Sequence, residues 1–256
     1  MLSVERINAI KQLLIKYESV SIPELSREFN VSGETIRRDI DKICAEDNRV
    51  VKVYGGAYRA KPNQDPPYKI RKAAMVDEKK HIAASALDYI HENDTIMLDS
   101  STTTLVLSGL IAVAQLNLTV ITNSLSVINE LCECPNIRIV DVGGNYDSNS
   151  HSFRGNITLS ALRNYHADVA FVSCSGLSRD FGATDNSEDA ALIRRTMISN
   201  SSGSVLLADS NKFDRCKTNR IAALSDFKTI VTNKLPDSEW VSLCGELGIE
   251  LKIAEE

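Results

Sequence analysis

Apolar residues recur along this chain at two periods, and the change of period divides it. Near the start, Ile7, Ile10, Leu14 and Ile15 fall at helical spacing, which predicts an amphipathic helix over residues 4–17. Residues 22–30 (IPELSREFN) place Pro23 at a first helical position and Leu25 and Phe29 four apart, giving a second, shorter helix. A tight turn through Val31 leads to VSGETIRR. Here Ser32 stands where a helix cap belongs, Glu34 and Thr35 occupy the first turn, Arg37 and Arg38 follow, and Lys42 comes a turn later. Residues 49–58 (RVVKVYGGAY) then alternate apolar and polar positions and bend at Gly55 and Gly56. That is the pattern of a two-stranded wing carrying Arg49, Lys52 and Tyr54.

After a proline-rich stretch at 61–68 (KPNQDPPY), expected as the start of a linker over 61–76, the pattern changes. Short apolar runs at 95–99, 118–122, 137–142, 168–174, 204–208, 229–232 and 249–253 read as strands, several continuously apolar as in a sheet covered on both faces. Helix-period segments at 77–91, 103–114, 124–132, 157–165 and 187–200 lie between most of them. The predicted fold class is α/β: a winged helix-turn-helix over 1–60, then a largely parallel α/β domain over 77–256.

Length and composition agree with two domains, since 256 residues with 43% apolar content leave a sizeable core after a head of about 60 residues. Residues 1–72 carry a net charge of +4 and the remainder −9, so the basic charge is concentrated at the amino-terminal end although the whole chain is −5. A nucleic-acid footprint belongs to a domain rather than to a chain average. Taken singly, a helix bearing Arg37, Arg38 and Lys42 is an ordinary solvated face. The order of helix, turn, arginine-bearing helix and basic wing instead points to double-stranded DNA, with Ser32, Thr35, Arg37, Arg38, Lys42, Arg49, Lys52 and Tyr54 as the contacting residues.

No apolar run reaches the roughly 18 to 20 residues a membrane span needs. Met1 leads straight into the first helix, so no signal peptide is expected and the expected location is the cytoplasm. The six cysteines are scattered and read as reduced, mostly buried thiols, with no metal site and no cofactor expected.

In the second domain polar residues cluster just past the strand ends, where a parallel sheet keeps its ligands. Asp99, Ser100, Ser101, Thr102 and Thr103 precede a helix, a combination of hydroxyls and free amides suited to a phosphate. Asn123 and Ser124 follow the second strand, Gly143 and Gly144 the third, and Asp209 to Lys212 the fifth, with Lys212 placed to meet an anion. Tyr146, His151, Arg154 and Arg179 fall in loops where selectivity could be set. Each cluster alone is as well explained by a cap or a turn.

These blocks together, VSGETIRRDI, VYGGA, LDSSTTT, VITNS, VGGNY, GATD with Glu188 nearby and ADSNKF, resemble the DeoR family of bacterial sugar-metabolism repressors along nearly the whole chain. The resemblance implies a sensor domain related in fold to phosphosugar isomerases and a phosphorylated sugar or sugar alcohol as effector. It implies Asp99, Ser100, Ser101, Thr102 and Thr103 at the phosphate, Asn123 and Ser124 in the adjoining loop, and Lys212 on the opposite wall. Gly143, Gly144 and Glu188 complete the expected effector set. The usual D-x-G-T-T of the family has Ser101 here in place of glycine. A repressor bound to its operator as a homodimer or homotetramer is the expected function. An aldose-ketose isomerase fused to a DNA-binding head is the alternative, with Asp99, Asp185, Glu188 and Lys212 as its candidate acid-base groups.

Overall fold

The computed structural model describes residues 2–47, 49–53, 55–59 and 65–254, and the chain divides into two compact units, Met1–Val76 and Asp77–Glu256. The first unit runs α1 (Ser3–Tyr17), β1 (Ser19–Ser21), α2 (Ile22–Phe29), α3 (Gly33–Glu46), β2 (Val50–Val53), β3 (Gly56–Arg59) and α4 (Tyr68–Ala73). Ile10 and Leu14 of α1, Leu25 of α2 and Ile36, Ile40 and Ile43 of α3 meet in one core, closed by Val20, Val50 and Ala57. Each fully buried isoleucine there contributes about 1.5–3 kcal/mol. The strands form an antiparallel sheet in the order β1-β3-β2. Two glycines make that sheet possible. Gly55 turns with φ of +93°, and a Cβ on Gly56 would stand 2.1 Å from the Val20 carbonyl oxygen, where β3 closes on β1.

One part of the expected linker is folded. Tyr68–Ala73 forms α4, whose Tyr68 and Ile70 are buried and which packs against β3, so the first unit extends through Val76. Two apolar side chains one and three residues past Pro67 are enough to pull the segment onto the sheet, although the prolines themselves do keep Asp65–Pro67 out of helix and strand.

The second unit runs α5 (Val76–Leu87), β4 (Thr95–Leu98), α6 (Thr102–Ala114), β5 (Leu118–Thr122), α7 (Leu125–Leu131) and β6 (Ile137–Asp141). It continues through β7 (Asn145–Asp147), β8 (Ser152–Arg154), α8 (Asn156–Leu162), β9 (Ala167–Ser173), β10 (Gly176–Ser178), β11 (Gly182–Asp185) and α9 (Glu188–Ser199). The last elements are β12 (Ser201–Leu207), β13 (Asn219–Ala222), β14 (Thr229–Thr232), α10 (Ser238–Glu246) and β15 (Glu250–Ile253). Seven strands pair in parallel in the order β15-β14-β12-β9-β4-β5-β6. Alternate residues of one strand go to opposite faces. Ile96 and Leu98 join a core with Ile82 of α5, Leu107 and Ile111 of α6 and Leu131 of α7, whereas Met97 joins one with Leu162 of α8, Met197 of α9 and Trp240 of α10. β10, β11 and β13 make a small antiparallel sheet, and β7 and β8 a hairpin.

Chain order reverses between β4 and β9: the chain proceeds outward from β4 through β5 to β6, then returns to β9 and builds the other half. The carboxyl ends at this reversal are where such a sheet opens a crevice. Among the described residues no helix is long and apolar enough to cross a membrane, and no group of metal-ligating side chains comes together. The thiols are free but less buried than expected: Cys174 and Cys244 are buried, Cys132 and Cys216 exposed, and Cys44 and Cys134 between.

Candidate functional site

The head presents α3 as a capped, charged helix. The Ser32 hydroxyl accepts the Thr35 N–H at 3.2 Å and lies 2.9 Å from the Thr35 hydroxyl, which fixes where the helix starts. Arg37, Arg38 and Lys42 are exposed, and their apolar neighbours Ile36, Ile40 and Ile43 are fully buried, so the helix shows one cationic face to solvent. The cations have neighbours. Glu34 lies 3.4 Å from Arg37 and 3.6 Å from Arg38, and Lys52 of β2 pairs with Asp41 of α3 at 2.5 Å. Arg49 grips Asp47 with its side chain and its backbone N–H, which holds that carboxyl down at about 2. Tyr54 lies outside the described residues.

Beneath this face lies a residue pair that the motif reading missed. Arg6 of α1 donates to Asp39 of α3 at 2.6 Å, both buried, and so ties the reading helix to the first helix. The signal was present in the spacing: Arg6 falls four residues before Ile10, and Asp39 three after Ile36, each on an apolar stripe.

In the second unit the loop after β4 is organised from below. Asp99 is 1% exposed, and its carboxylate accepts from the Ser101 N–H at 2.9 Å, the Thr104 hydroxyl at 2.8 Å, the Ser173 N–H at 3.0 Å and Arg194 Nε at 2.5 Å. Arg194, on α9, reaches with its other end to Asp185 at 2.5 Å. Asp185 in turn accepts the Ser175 hydroxyl and the Ser187 N–H. One buried guanidinium thus holds the loops after β4, β9 and β11 at the reversal of chain order. Burial alone would raise the Asp99 pKa. The Arg194 charge and the two N–H donors outweigh it and hold the carboxyl below its ordinary value. Arg194 is itself held charged by the two aspartates against the cost of burial. Sequence reasoning passed over Arg194, although it sits between Ala191 and Met197 at three-residue spacing on the buried face of its helix.

Ser101 caps α6: its hydroxyl accepts the Thr104 N–H at 3.1 Å and adjoins the Thr104 hydroxyl at 2.9 Å. With φ of −76°, the position makes no demand for glycine. Its own N–H and hydroxyl are both committed to the protein. Ser100, Thr102 and Thr103 remain as residues whose N–H and hydroxyl groups have no hydrogen-bond partner among the described residues, at the amino end of a 13-residue helix.

The next strand end is tied down in the same way. Ser124 caps α7, accepting the Val127 N–H at 3.3 Å. Asn123 is 1% exposed, and its amide donates to the Phe153 carbonyl of β8 at 3.0 Å. Gly143 has open space beside it. Gly144 does not, since a Cβ there would stand 2.1 Å from the Thr158 hydroxyl and 2.8 Å from the Arg154 carbonyl oxygen; its smallness serves packing against α8 and β8. Lys212 is half-buried in the turn after β12, where Asp209 accepts the Asn211 N–H, and its charge and that of Arg194 act on the buried Cys174 thiol, which burial nonetheless pushes up to about 12. Glu188 is exposed in the first turn of α9.

Of the loop residues expected to set selectivity, Arg154 pairs with Asp147 at 3.0 Å. Arg179 binds Glu239 and Asp237, both at 2.6 Å, and lies over the Trp240 ring at 5.4 Å. Both are ion-paired within the protein. Tyr146 is 46% exposed on β7, and His151 turns at φ of +52° in the loop of the same hairpin.

Comparison with known proteins places both units. The DeoR-like helix-turn-helix domain matches residues 6–63 and the DeoR C-terminal sensor domain residues 74–234. The regulator IolR of Bacillus subtilis is 32% identical over 97% of this chain and 98% of its own, and the glycerol-3-phosphate regulon repressor of Escherichia coli 28% identical over 99% and 100%. Among solved structures, ribose 5-phosphate isomerase A from Methanocaldococcus jannaschii aligns over 54% of each chain at 15% identity with a TM-score of 0.41. Relatives matched end to end are regulators, and the chain is a regulator rather than an isomerase. The chain belongs to the DeoR family of DNA-binding transcriptional regulators.

Proposed function

We propose that this regulator represses a carbohydrate-utilisation operon and leaves its operator when the second unit binds a phosphorylated sugar or sugar alcohol. The observation that carries the reading is the amino end of α6, where Ser100, Thr102 and Thr103 keep N–H and hydroxyl donors without acceptors among the described residues, beside a buried network that fixes their loop. Those donors and the helix dipole suit a dianion. Phosphate contact falls to these three residues and Lys212. Asp99, Ser101, Asn123, Ser124 and Gly144 hold the loops, and Gly143 and Glu188 border the site. On the head, Arg37 and Arg38 read the major groove while Lys42, Arg49 and Lys52 meet phosphates, with Ser32 and Thr35 setting the start of the helix. The repressor works in the cytoplasm as a homodimer or homotetramer on a two-fold operator. Names among the relatives support the chemistry, since one represses a glycerol-3-phosphate regulon.

Isothermal calorimetry with paired sugars and sugar phosphates tests the reading. The phosphorylated member of a pair should bind at least tenfold more tightly than its parent; equal affinity for both sinks the phosphate site.

A further inference from the structure

Glu34 is the one carboxylate in the first turn of α3, two residues beyond the Ser32 cap, and it belongs to the same exposed face as the two arginines. Its carboxylate lies 3.4 Å from Arg37 and 3.6 Å from Arg38, with side-chain exposures of 61%, 51% and 76% for Glu34, Arg37 and Arg38. A first-turn glutamate gains a little from the helix dipole and from pairing with residues three and four further on, by a few tenths of a kcal/mol in each case. Its position carries a larger cost once the helix approaches a duplex. DNA presents a dense row of phosphates, and a negative charge at the groove-facing end of a recognition helix opposes binding at every sequence alike.

The opposition is relieved in one circumstance. In the major groove cytosine offers its N4 amine as a donor with no acceptor on the same base edge, and carboxylates accept from it; adenine's N6 amine stands beside the N7 lone pair, which repels a carboxylate, and guanine N7 and O6 and thymine O4 offer acceptors only. Such a donor lets the carboxylate exchange its arginine partners for a base, and releases both guanidinium groups toward guanine or phosphate. We propose that Glu34 is a specificity-determining residue of the reading head, which accepts from a cytosine amine in each half-site and penalises duplexes that lack one. Arg37 and Arg38 read guanine or grip phosphate, and Glu34 adds discrimination at a cytosine position. This inference rests on α3 being the reading helix.

The test is selection from a duplex pool with about 20 randomised base pairs by the full-length protein and by Glu34→Ala and Glu34→Gln, followed by anisotropy titration of the selected sites. Wild type should prefer cytosine at one position per half-site by about tenfold, the value of one good base contact. Glu34→Ala should lose that preference alone and bind random duplex about threefold more tightly, because one repulsive charge is gone. Glu34→Gln should switch the preference to adenine, whose N6 and N7 match a carboxamide. A merely structural role would lower affinity evenly and leave every base preference intact. Identical preferences in all three proteins overturn the proposal. Arg37→Ala with Arg38→Ala is the control: if this double variant also selects the wild-type site with undiminished affinity, the helix is not the reader and the underlying assignment has failed rather than the role of Glu34 alone.

Discussion

Charge is used in opposite ways by the two units of this protein. On the head, Arg37, Arg38, Arg49 and Lys52 are exposed and each is paired with a carboxylate close in sequence or on the adjoining helix. Such solvent-exposed pairs contribute little to stability and are readily exchanged for phosphate or a base. In the body, Arg194 is buried between Asp99 and Asp185, and the Asp99 carboxylate accepts from Arg194, the Ser173 N–H, the Ser101 N–H and the Thr104 hydroxyl. The head therefore keeps its charges available for a partner, whereas the body uses its buried charges to fix the loops that border the proposed anion site. The comparison also separates two kinds of arginine that look alike in a sequence: those at solvent-facing helical positions and those, like Arg6 and Arg194, set in an apolar stripe.

The largest expected effect comes from breaking the buried network. Arg194→Met leaves two carboxylates unpaired in the interior, and removal of one partner from a buried charge pair costs about 3–5 kcal/mol. Trp240, the single tryptophan, is fully buried in the second unit, so urea unfolding followed by its fluorescence reports on that unit. A loss below about 1 kcal/mol would show the network to be dispensable and the comparison false. The same network predicts the acid response. The Asp99 pKa is depressed in the folded state, so its contribution is complete above its ordinary value of 3.8 and drains away as pH falls below it. Arg194→Met should abolish that part of the acid slope.

How much of this was legible beforehand follows the same division. All seven strands of the main sheet were predicted, because each is a short run of apolar residues bounded by polar or turn residues, most of them next to a helix of clear period. The short strands β1, β7, β8, β10, β11 and β13 were not, since three or four residues give too little alternation to read, and α10 escaped because only Trp240 and Cys244 of its nine residues are buried. At the candidate site the sequence placed Asp99 to Thr103 together at a strand end but could not say which of them faces outward. That depends on Arg194, 95 residues away along the chain, whose hydrogen bond turns Asp99 inward.

A smaller effect is expected on the head. Arg38→Ala should weaken operator binding about tenfold or more, the loss of one bidentate contact at about 1–3 kcal/mol, while leaving the Trp240 unfolding curve unchanged. Wild-type affinity in gel-shift titrations for both Arg37→Ala and Arg38→Ala would move the reading face elsewhere.

The smallest effect sharpens the reading of Ser101. Its hydroxyl serves as the helix cap, and exchange of a serine cap for glycine costs only a few tenths of a kcal/mol. Ser101→Gly, which restores the pattern usual in the family, should bind phosphorylated ligands as tightly as wild type in calorimetry. A tenfold weaker variant would mean that the hydroxyl leaves its cap to touch the effector.

The central claim is that an anion held by the second unit controls the head, and linkage makes it measurable: a ligand can shift operator binding only by its different affinity for the free and DNA-bound protein. Anisotropy of a labelled operator duplex, titrated with sugar phosphates against wild type and Lys212→Ala, tests it most directly. The account predicts that wild type is released by a phosphorylated ligand and not by its unphosphorylated parent, while Lys212→Ala binds the duplex with wild-type affinity and stays bound at ligand concentrations that release the wild type. Release of both proteins at the same concentration, or release by the unphosphorylated sugar alone, would contradict it.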